Sequence, residues 1–430
     1  MTTTQVLAHP PSAELVKNVM RDVIAAANTY GCNFDAEAEV SNMIARTMSI
    51  AINYKPSMML DCERKKPMEV EVILGNPVRR AEANNVPLLS FIQISPHCNL
   101  NLCCHSVYLM AEKQSKAKIL IVGAGAIGCI YGWRLSHNAD VMTVCRSNYD
   151  IVNQEGFIID SEKWGEGVFR PARVFRTTED AAQVEYDYVV VTMKALPDVY
   201  DVSEIIRPVV TIGKTSIVLI QNGLGVEEPI LAAYPANPLL SVVAYIASSQ
   251  VTPGKIKMMS AENLIMAEYR QLNVDGEQQK KRLHELFLKG DVSMKVVPDI
   301  EEPRWQKLIL IAGIASTCVA TDLDTSGVTE FAPSAELFKN IMRDIVAVAD
   351  AYGYNFDKEK EVETMFTRVA SLNAYKPSMY LDFTRNQPME VEVILGTALR
   401  RAKQKNVNVP YLESMYAVCS ALNNKKQGKL

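Results

Sequence analysis

One segment in the first third of the 430-residue chain limits the fold more than any other feature. A short apolar run that begins at Lys118 leads into Gly123, Gly125 and Gly128, at the spacing Gly-x-Gly-x-x-Gly. Residues suited to a helix follow as far as Leu135. A strand, a glycine turn and a helix in this order are typical of the first βαβ unit of a dinucleotide-binding sheet. We therefore expect a parallel α/β domain from about this point.

The three glycines of this turn have different physical roles in such a fold. The first permits the tight turn, the second lets the backbone approach a pyrophosphate, and the third lets the helix pack closely on the strand. Free N–H groups at the start of the helix attract phosphate. A purely structural glycine turn is the alternative. The candidate cofactor-binding positions are Gly123, Ala124, Gly125, Ala126, Ile127 and Gly128.

The end of the second strand indicates which cofactor is bound. The run that begins at Asp140 predicts this strand, and Arg146 follows it where NAD sites usually carry an acidic residue for the ribose. A guanidinium can bind a 2′-phosphate through two parallel hydrogen bonds. The sequence therefore favours NADP(H) over NAD(H), with a solvated surface arginine as the alternative.

Polar residues follow two further predicted strands. The apolar runs that begin at Tyr188 and Ser216 end at Lys194 and Asn222, respectively. Ligands of open α/β sheets bind at the carboxyl ends of the strands. We therefore place Lys194 and Asn222 on the cofactor side of the sheet, and an ordinary surface lysine is the alternative for Lys194.

Helices replace the strand–helix alternation after about residue 295. A helix that begins near Glu302 is apolar nearly all round from Leu308 to Ala320, which indicates a buried core helix. Lys307 lies where this apolar stretch begins. A lysine at such a place either extends its amine to water or has a function.

The first 93 residues repeat part of the end of the chain. Pro11-Ser-Ala-Glu-Leu recurs at Pro333, and Pro67-Met-Glu-Val-Glu-Val-Ile-Leu-Gly recurs at Pro388. The first copy has no glycine turn and no counterpart of Lys307, so we expect no second active site in it. It either packs on the C-terminal domain as a second subunit would, or is a partly ordered remnant of a duplication.

Residues 94–116 are interpreted as a linker. They include His97, Cys98, Cys103, Cys104 and His105. Their spacing matches none of the paired cysteine arrangements of zinc sites, so we expect no bound metal.

The composition is that of an ordinary globular protein. Apolar residues make up 48% and charged residues 22%, and the net charge of −4 gives no basic surface for nucleic acid. The apolar stretch at 308–320 is shorter than the ~20 residues that span a bilayer, and no secretory signal is visible. We therefore expect a cytoplasmic protein that binds neither nucleic acid nor a membrane.

Taken in order, the motifs between residues 117 and 420 resemble those of the ketopantoate reductase (2-dehydropantoate 2-reductase) family. The resemblance implies an α/β Rossmann domain with a mostly parallel sheet, followed by an all-α C-terminal domain; the helical repeat at the N-terminus is additional. The expected boundaries are 1–93 for the repeat, 94–116 for the linker, 117–295 for the NADP-binding domain and 296–430 for the helical substrate and dimerisation domain. The matching motifs are the glycine turn, Cys-Arg146, Thr-Met-Lys194-Ala, Gln-Asn222-Gly-Leu-Gly, Trp-Gln-Lys307-Leu, Lys-Pro-Ser378-Met-Tyr-Leu-Asp382 and Pro-x-Glu390.

The resemblance also implies roles on the cofactor side of the site. Arg146 and Lys194 match positions that hold the phosphate and ribose of NADP(H). Asn222 matches a residue of both the cofactor site and the active site. Glu390 matches an acid near the nicotinamide ribose and the reacting centre.

On the substrate side, the resemblance makes Lys307 the general acid and a substrate contact, with Asn222 and Glu390 as its catalytic neighbours. Ser378 matches a residue that binds the substrate carboxylate. Asp382 is expected to be structural, at a helix turn.

Two positions depart from the pattern of the family. Family members carry asparagines four and eight residues after the lysine, where this chain has Ile311 and Ala315. Each lost hydrogen-bond partner weakens binding of a hydroxylated substrate by about 1–3 kcal/mol.

The sequence therefore predicts an NADPH-dependent reductase of a 2-keto acid or related ketone. The alternatives are a reductase for a more apolar ketone and an NADP(H)-binding regulatory or structural protein without turnover. The expected partners are a small keto acid or ketone and a second copy bound through the helical domain.

Overall fold

The computed structural model describes residues 10–28, 31–49, 116–269 and 274–430. By its contacts the chain divides into two compact units, Met1–Ser115 and Lys116–Leu430. The histidines and cysteines of the predicted linker lie outside the described residues, as does most of the second half of the N-terminal repeat.

The first unit contains a pair of helices, α1 (Pro10–Asn28) and α2 (Ala36–Ser49). Arg21 of α1 donates hydrogen bonds to Glu37 of α2 at 2.7 Å and to Glu14 at 3.0 Å. In the second unit, the matching Arg343 donates to Glu359 at 3.1 Å in the same way. The two repeats therefore hold their helix pairs through the same interactions. Whether the first copy packs on the C-terminal domain or is a remnant of a duplication stays a prediction.

Among the described residues of the second unit, ten strands form one mixed sheet. They are β1 (Lys118–Val122), β2 (Asp140–Val144), β3 (Phe157–Ser161), β4 (Gly165–Phe169), β5 (Arg173–Phe175), β6 (Tyr188–Val191), β7 (Ser216–Ile220), β8 (Leu239–Thr252), β9 (Lys255–Glu268) and β10 (Met294–Val296). Strands β5-β2-β1-β6-β7-β8 are parallel neighbours in that order. This is the strand order of a Rossmann sheet.

The central strands are short and apolar because helices cover both faces of a parallel sheet. All residues of β6 and β7 are buried. Strand β9 runs antiparallel to β8 and extends the sheet, pairing with β3 along its first half and with β10 along its second half. The chain order reverses between β1 and β6, so their carboxyl ends form the crevice where ligands of such sheets bind.

Within the described part of the second unit, five helices accompany the sheet, and the region after β10 is helical. The sheet helices are α3 (Ala126–Leu135), α4 (Tyr149–Glu155), α5 (Val202–Ile206), α6 (Glu228–Ala233) and α7 (Glu277–Lys289), with a 3₁₀ turn at Arg207–Val209. The others are α8 (Glu301–Thr321), α9 (Thr325–Glu330), α10 (Ala332–Ala351), α11 (Lys358–Ala370), α12 (Ser378–Thr384), α13 (Thr397–Gln404) and α14 (Pro410–Lys426), with a π-helical turn at Glu392–Gly396.

Helix α8 is the core of the helical part, as its apolar sequence predicted. Every residue from Ala312 to Val319 is buried. Gly313 allows α10 to approach closely, because a Cβ there would lie 2.6 Å from the ring of Phe338. The structure confirms the predicted fold class, an α/β Rossmann domain followed by an all-α domain. Among the described residues, no helix is long and apolar enough to cross a membrane.

Candidate active site

The glycine turn after β1 has the tight geometry that its spacing predicted. Gly123 has a φ of 101°, and a Cβ on it would lie 2.4 Å from the backbone nitrogen of Met193. A Cβ on Gly128 would lie 2.5 Å from the hydroxyl of Thr192. A Cβ on Gly125 would meet no atom within 4 Å, and no side chain caps the start of α3. This open space at an uncapped helix N-terminus fits the pyrophosphate of a dinucleotide.

Arg146 lies at the carboxyl end of β2 and is exposed. Its positive charge acts on Tyr200, whose hydroxyl donates to the backbone carbonyl of Lys194. Burial nevertheless raises the pKa of Tyr200 to about 12, so this hydroxyl stays protonated. The structure therefore brings Arg146 and Lys194 to the same edge of the sheet, around a tyrosine that the sequence did not single out.

Lys194 contacts the helical domain through Asp382. Its ammonium group donates to a carboxylate oxygen of Asp382, and the lysine side chain remains 42% exposed. Burial raises the pKa of Asp382 to about 6, against the opposing effect of the lysine charge. The sequence interpretation of Asp382 as a helix-turn residue missed this contact, because its partner lies 188 positions away.

The side chain of Asn222 connects Lys307 with Glu390. The Nζ of Lys307 donates to the Asn222 Oδ1 at 2.7 Å and to the carbonyl of Ala244 at 2.6 Å. The Nδ2 of Asn222 donates to the Glu390 Oε2 at 3.2 Å, and the other oxygen of Glu390 accepts the N–H of Ala195 at 2.9 Å. The three residues that the sequence selected as catalytic therefore lie within one hydrogen-bonded group, although their roles stay predictions.

The surroundings of Lys307 favour loss of its proton. Burial, together with the positive charge of Arg304, lowers the pKa of this lysine to about 8, against the opposing effect of the Glu390 carboxylate. The amine also lies 5.7 Å from the ring centre of Tyr245. An amine with this pKa can hold or release a proton near neutral pH.

A small cavity of about 10 Å³ lies beside this amine. Four residues supply polar groups to it, and all are already hydrogen-bonded: Gln221, Asn222, Arg304 and Lys307. The apolar part of the lining consists of Val243, Leu308 and Ile311. The cavity therefore combines aliphatic side chains with polar groups that already have partners.

Ser378 is the exposed first residue of α12. It lies one helical turn before Asp382, so the two side chains share a face of the helix. Its predicted contact with a substrate carboxylate stays a prediction. Within the parts of the chain that the structure describes, no group of three or more His, Cys, Asp or Glu residues could hold a metal ion.

A Rossmann sheet with an open glycine turn, joined to a helical domain that carries a partly buried lysine, is the architecture of a two-domain NAD(P)H-dependent oxidoreductase. Comparison with known families agrees with this class. The family described as ketopantoate reductase PanE/ApbA matches residues 119–271, and its C-terminal family matches residues 1–92 and 299–423.

Three similar proteins each align with this chain over most of their own length. An uncharacterised protein of Saccharomyces cerevisiae is 33% identical over 330 residues, which cover 70% of this chain and 92% of that protein. A 2-dehydropantoate 2-reductase of Nostoc is 25% identical over 317 residues, covering 73% and 98%. The crystal structure of 2-dehydropantoate 2-reductase from Methylococcus capsulatus is 32% identical, with a TM-score of 0.64 and coverage of 72% and 97%. The chain belongs to the ketopantoate reductase family and is an oxidoreductase.

Proposed function

We propose that this protein is an NADPH-dependent reductase of a 2-keto acid or related ketone, with Lys307 as the general acid. The observation that carries the proposal is the group formed by Lys307, Asn222 and Glu390 in the same unit as the open glycine turn. When bound, NADPH supplies the hydride that reduces the ketone carbon.

Lys307 supplies the proton and the positive charge that the reaction needs. Negative charge grows on the ketone oxygen during reduction, and an ammonium group in hydrogen-bond reach stabilises it before giving up a proton. The Ala244 carbonyl and the Asn222 amide oxygen fix the position of the amine. The carboxylate of Glu390 favours its protonated form, and with a pKa of about 8 the lysine is mostly protonated at pH 7.

The cofactor would be held along the carboxyl edge of the sheet. The N–H groups at the start of α3 suit the pyrophosphate, and Arg146 suits a 2′-phosphate because its guanidinium can donate two hydrogen bonds. Lys194 has three donors on its ammonium group, so it can bind a phosphate or ribose oxygen while still contacting Asp382.

The apolar wall that Ile311 forms beside the amine favours a keto acid with an apolar side chain. Ile311 lies where family members carry an asparagine, so it offers no hydrogen-bond partner to a hydroxyl group of the substrate. Burying a hydroxyl without a partner costs about 1–3 kcal/mol. The second candidate function, reduction of a more apolar ketone than ketopantoate, rests on this replacement, and Ser378 is the proposed contact for a substrate carboxylate.

A matched pair of substrates tests the proposal. Trimethylpyruvate is ketopantoate without its hydroxyl group, so the two differ only where the apolar wall is expected to act. NADPH oxidation should occur with both, and kcat/KM should favour trimethylpyruvate by about 5- to 150-fold, the range that corresponds to 1–3 kcal/mol. Ile311→Asn should reduce this preference, and Ile311→Leu is the control that keeps the wall apolar. NADPH binding without oxidation by either compound, or by other apolar 2-keto acids, would instead support the non-catalytic alternative.

A further inference from the structure

Arg304 lies one helical turn before Lys307 on α8, and its guanidinium is enclosed, with 1% of the side chain exposed. Its Nη1 donates to the backbone carbonyl of Gln221 at 3.0 Å and to that of Gly223 at 2.9 Å. These two carbonyls belong to the residues on either side of Asn222. One guanidinium therefore holds the backbone of the residue that bridges the lysine and the glutamate.

The rest of the guanidinium faces the sheet domain. The Oγ of Ser241 lies 3.1 Å from its Nε and 2.8 Å from its Nη2. The carboxylate of Glu227 lies 2.5 Å from the same Nε and is fully buried. A buried ion pair gives little net stability over an apolar replacement, because removing both charges from water is costly. Stability alone therefore does not account for an arginine at this place.

We propose that Arg304 is a positioning residue for the reduction: it clamps the backbone at 221–223 so that the amide of Asn222 bridges Lys307 and Glu390. The inference rests on the proposed function. The clamped segment contains Gly223, with a φ of 91°, and is followed by Gly225, with a φ of 74°. Glycines at these angles give the segment a backbone freedom that other residues lack, so its fixed shape needs an external restraint.

The planar guanidinium group of arginine is what allows one side chain to make all of these contacts. Arginine presents its donors in fixed directions and reaches two carbonyls, a hydroxyl and a carboxylate at once. A lysine keeps the positive charge, but its three donors leave one nitrogen, so they cannot reach the carbonyls at the Nη1 position and the carboxylate at the Nε position together. Arg304→Lys therefore separates the clamp from the charge.

The charge of Arg304 has its own measurable effect. It faces Lys307 and lowers the pKa of that amine, while Glu390 raises it. Tyr245, from β8, also lies near the amine, and it stays neutral because burial raises its pKa to about 12. Removing the guanidinium charge should therefore move the basic limb of the pH–rate profile to higher pH.

Three variants of the full-length protein test the proposal, assayed with NADPH and trimethylpyruvate. Arg304→Lys should lower kcat by about 10- to 100-fold, because small misplacements of reacting groups have effects of this size. Its NADPH dissociation constant should stay within about threefold of wild type, because the change should displace the Asn222 amide and leave the rest of the cofactor site in place. Arg304→Gln should lose kcat as well and shift the basic limb upward. Glu227→Gln breaks the same buried ion pair but keeps the two carbonyl contacts, so it should lower the melting temperature and retain most of kcat.

The results that would overturn the positioning role differ from those that would overturn the proposed function. A normal kcat in Arg304→Lys overturns the positioning role. Equal losses of kcat, NADPH affinity and melting temperature in Arg304→Lys and Glu227→Gln also overturn it, because they show a merely structural ion pair. If wild-type protein binds NADPH but reduces no keto acid, the proposed function fails first and this inference fails with it.

Discussion

The rate of ketone reduction should fall steeply above about pH 8. Burial and the neighbouring guanidinium of Arg304 lower the pKa of Lys307 to about 8, and reduction uses the protonated amine. With that pKa, the protonated fraction is about 0.9 at pH 7 and about 0.1 at pH 9, which corresponds to a roughly tenfold fall in rate. A lysine with an ordinary pKa near 10.4 would stay almost fully protonated over the same range.

Single-turnover kinetics measure this fall in rate, which is the basic limb of the pH–rate profile, without interference from product release. Protein with bound NADPH is mixed with saturating trimethylpyruvate, and the loss of the reduced-nicotinamide absorbance is followed from pH 6 to pH 9. In the reverse direction, oxidation of the hydroxy acid with NADP⁺ needs the free amine, so its rate should rise over the same interval. Lys307→Arg is the control, because an arginine stays protonated throughout and should remove the limb. A reduction rate that is flat to pH 9, or an unchanged limb in Lys307→Arg, would refute the assignment of the acid.

Three further changes should have separable effects. Arg146→Ala should lower the preference for NADPH over NADH by about 10- to 100-fold, because one charge-assisted contact is worth about 1.5–3 kcal/mol; equal losses with both cofactors would contradict this. Gly128→Ala should destabilise the fold by about 1–3 kcal/mol in urea unfolding, since its Cβ would lie 2.5 Å from the Thr192 hydroxyl. Glu390→Gln should move the basic limb to lower pH, because its carboxylate raises the pKa of the lysine, and a limb at higher pH would count against that effect of its charge.

The fold could be predicted because its signals are local. The glycine turn after Lys118, the alternation of apolar strands with helices, and the apolar stretch of α8 each occupy a short segment with a characteristic period. The clustering of Asn222, Lys307 and Glu390 required the family resemblance as well, since nothing in the local pattern says which strand ends and helix starts will meet. The structure brings all three into hydrogen-bond contact.

The contacts that the sequence did not predict are all long-range. Lys194 meets Asp382 across 188 positions, and Arg304 meets the carbonyl of Gly223 across 81. The arginine also looks like an ordinary polar residue in the first turn of a helix, where exposure is the usual state of such a side chain. Its burial depends on how α8 packs against the sheet, which a one-dimensional pattern does not contain.

The central claim is that a keto acid is reduced by NADPH with Lys307 as the proton donor. Its most direct test is the turnover of Lys307→Ala beside wild type, with NADPH binding measured in the same samples. The variant should bind NADPH within about threefold of wild type and lose about 10²- to 10⁴-fold in kcat, the usual contribution of a general acid. Unchanged turnover in a variant that binds NADPH normally would contradict the account.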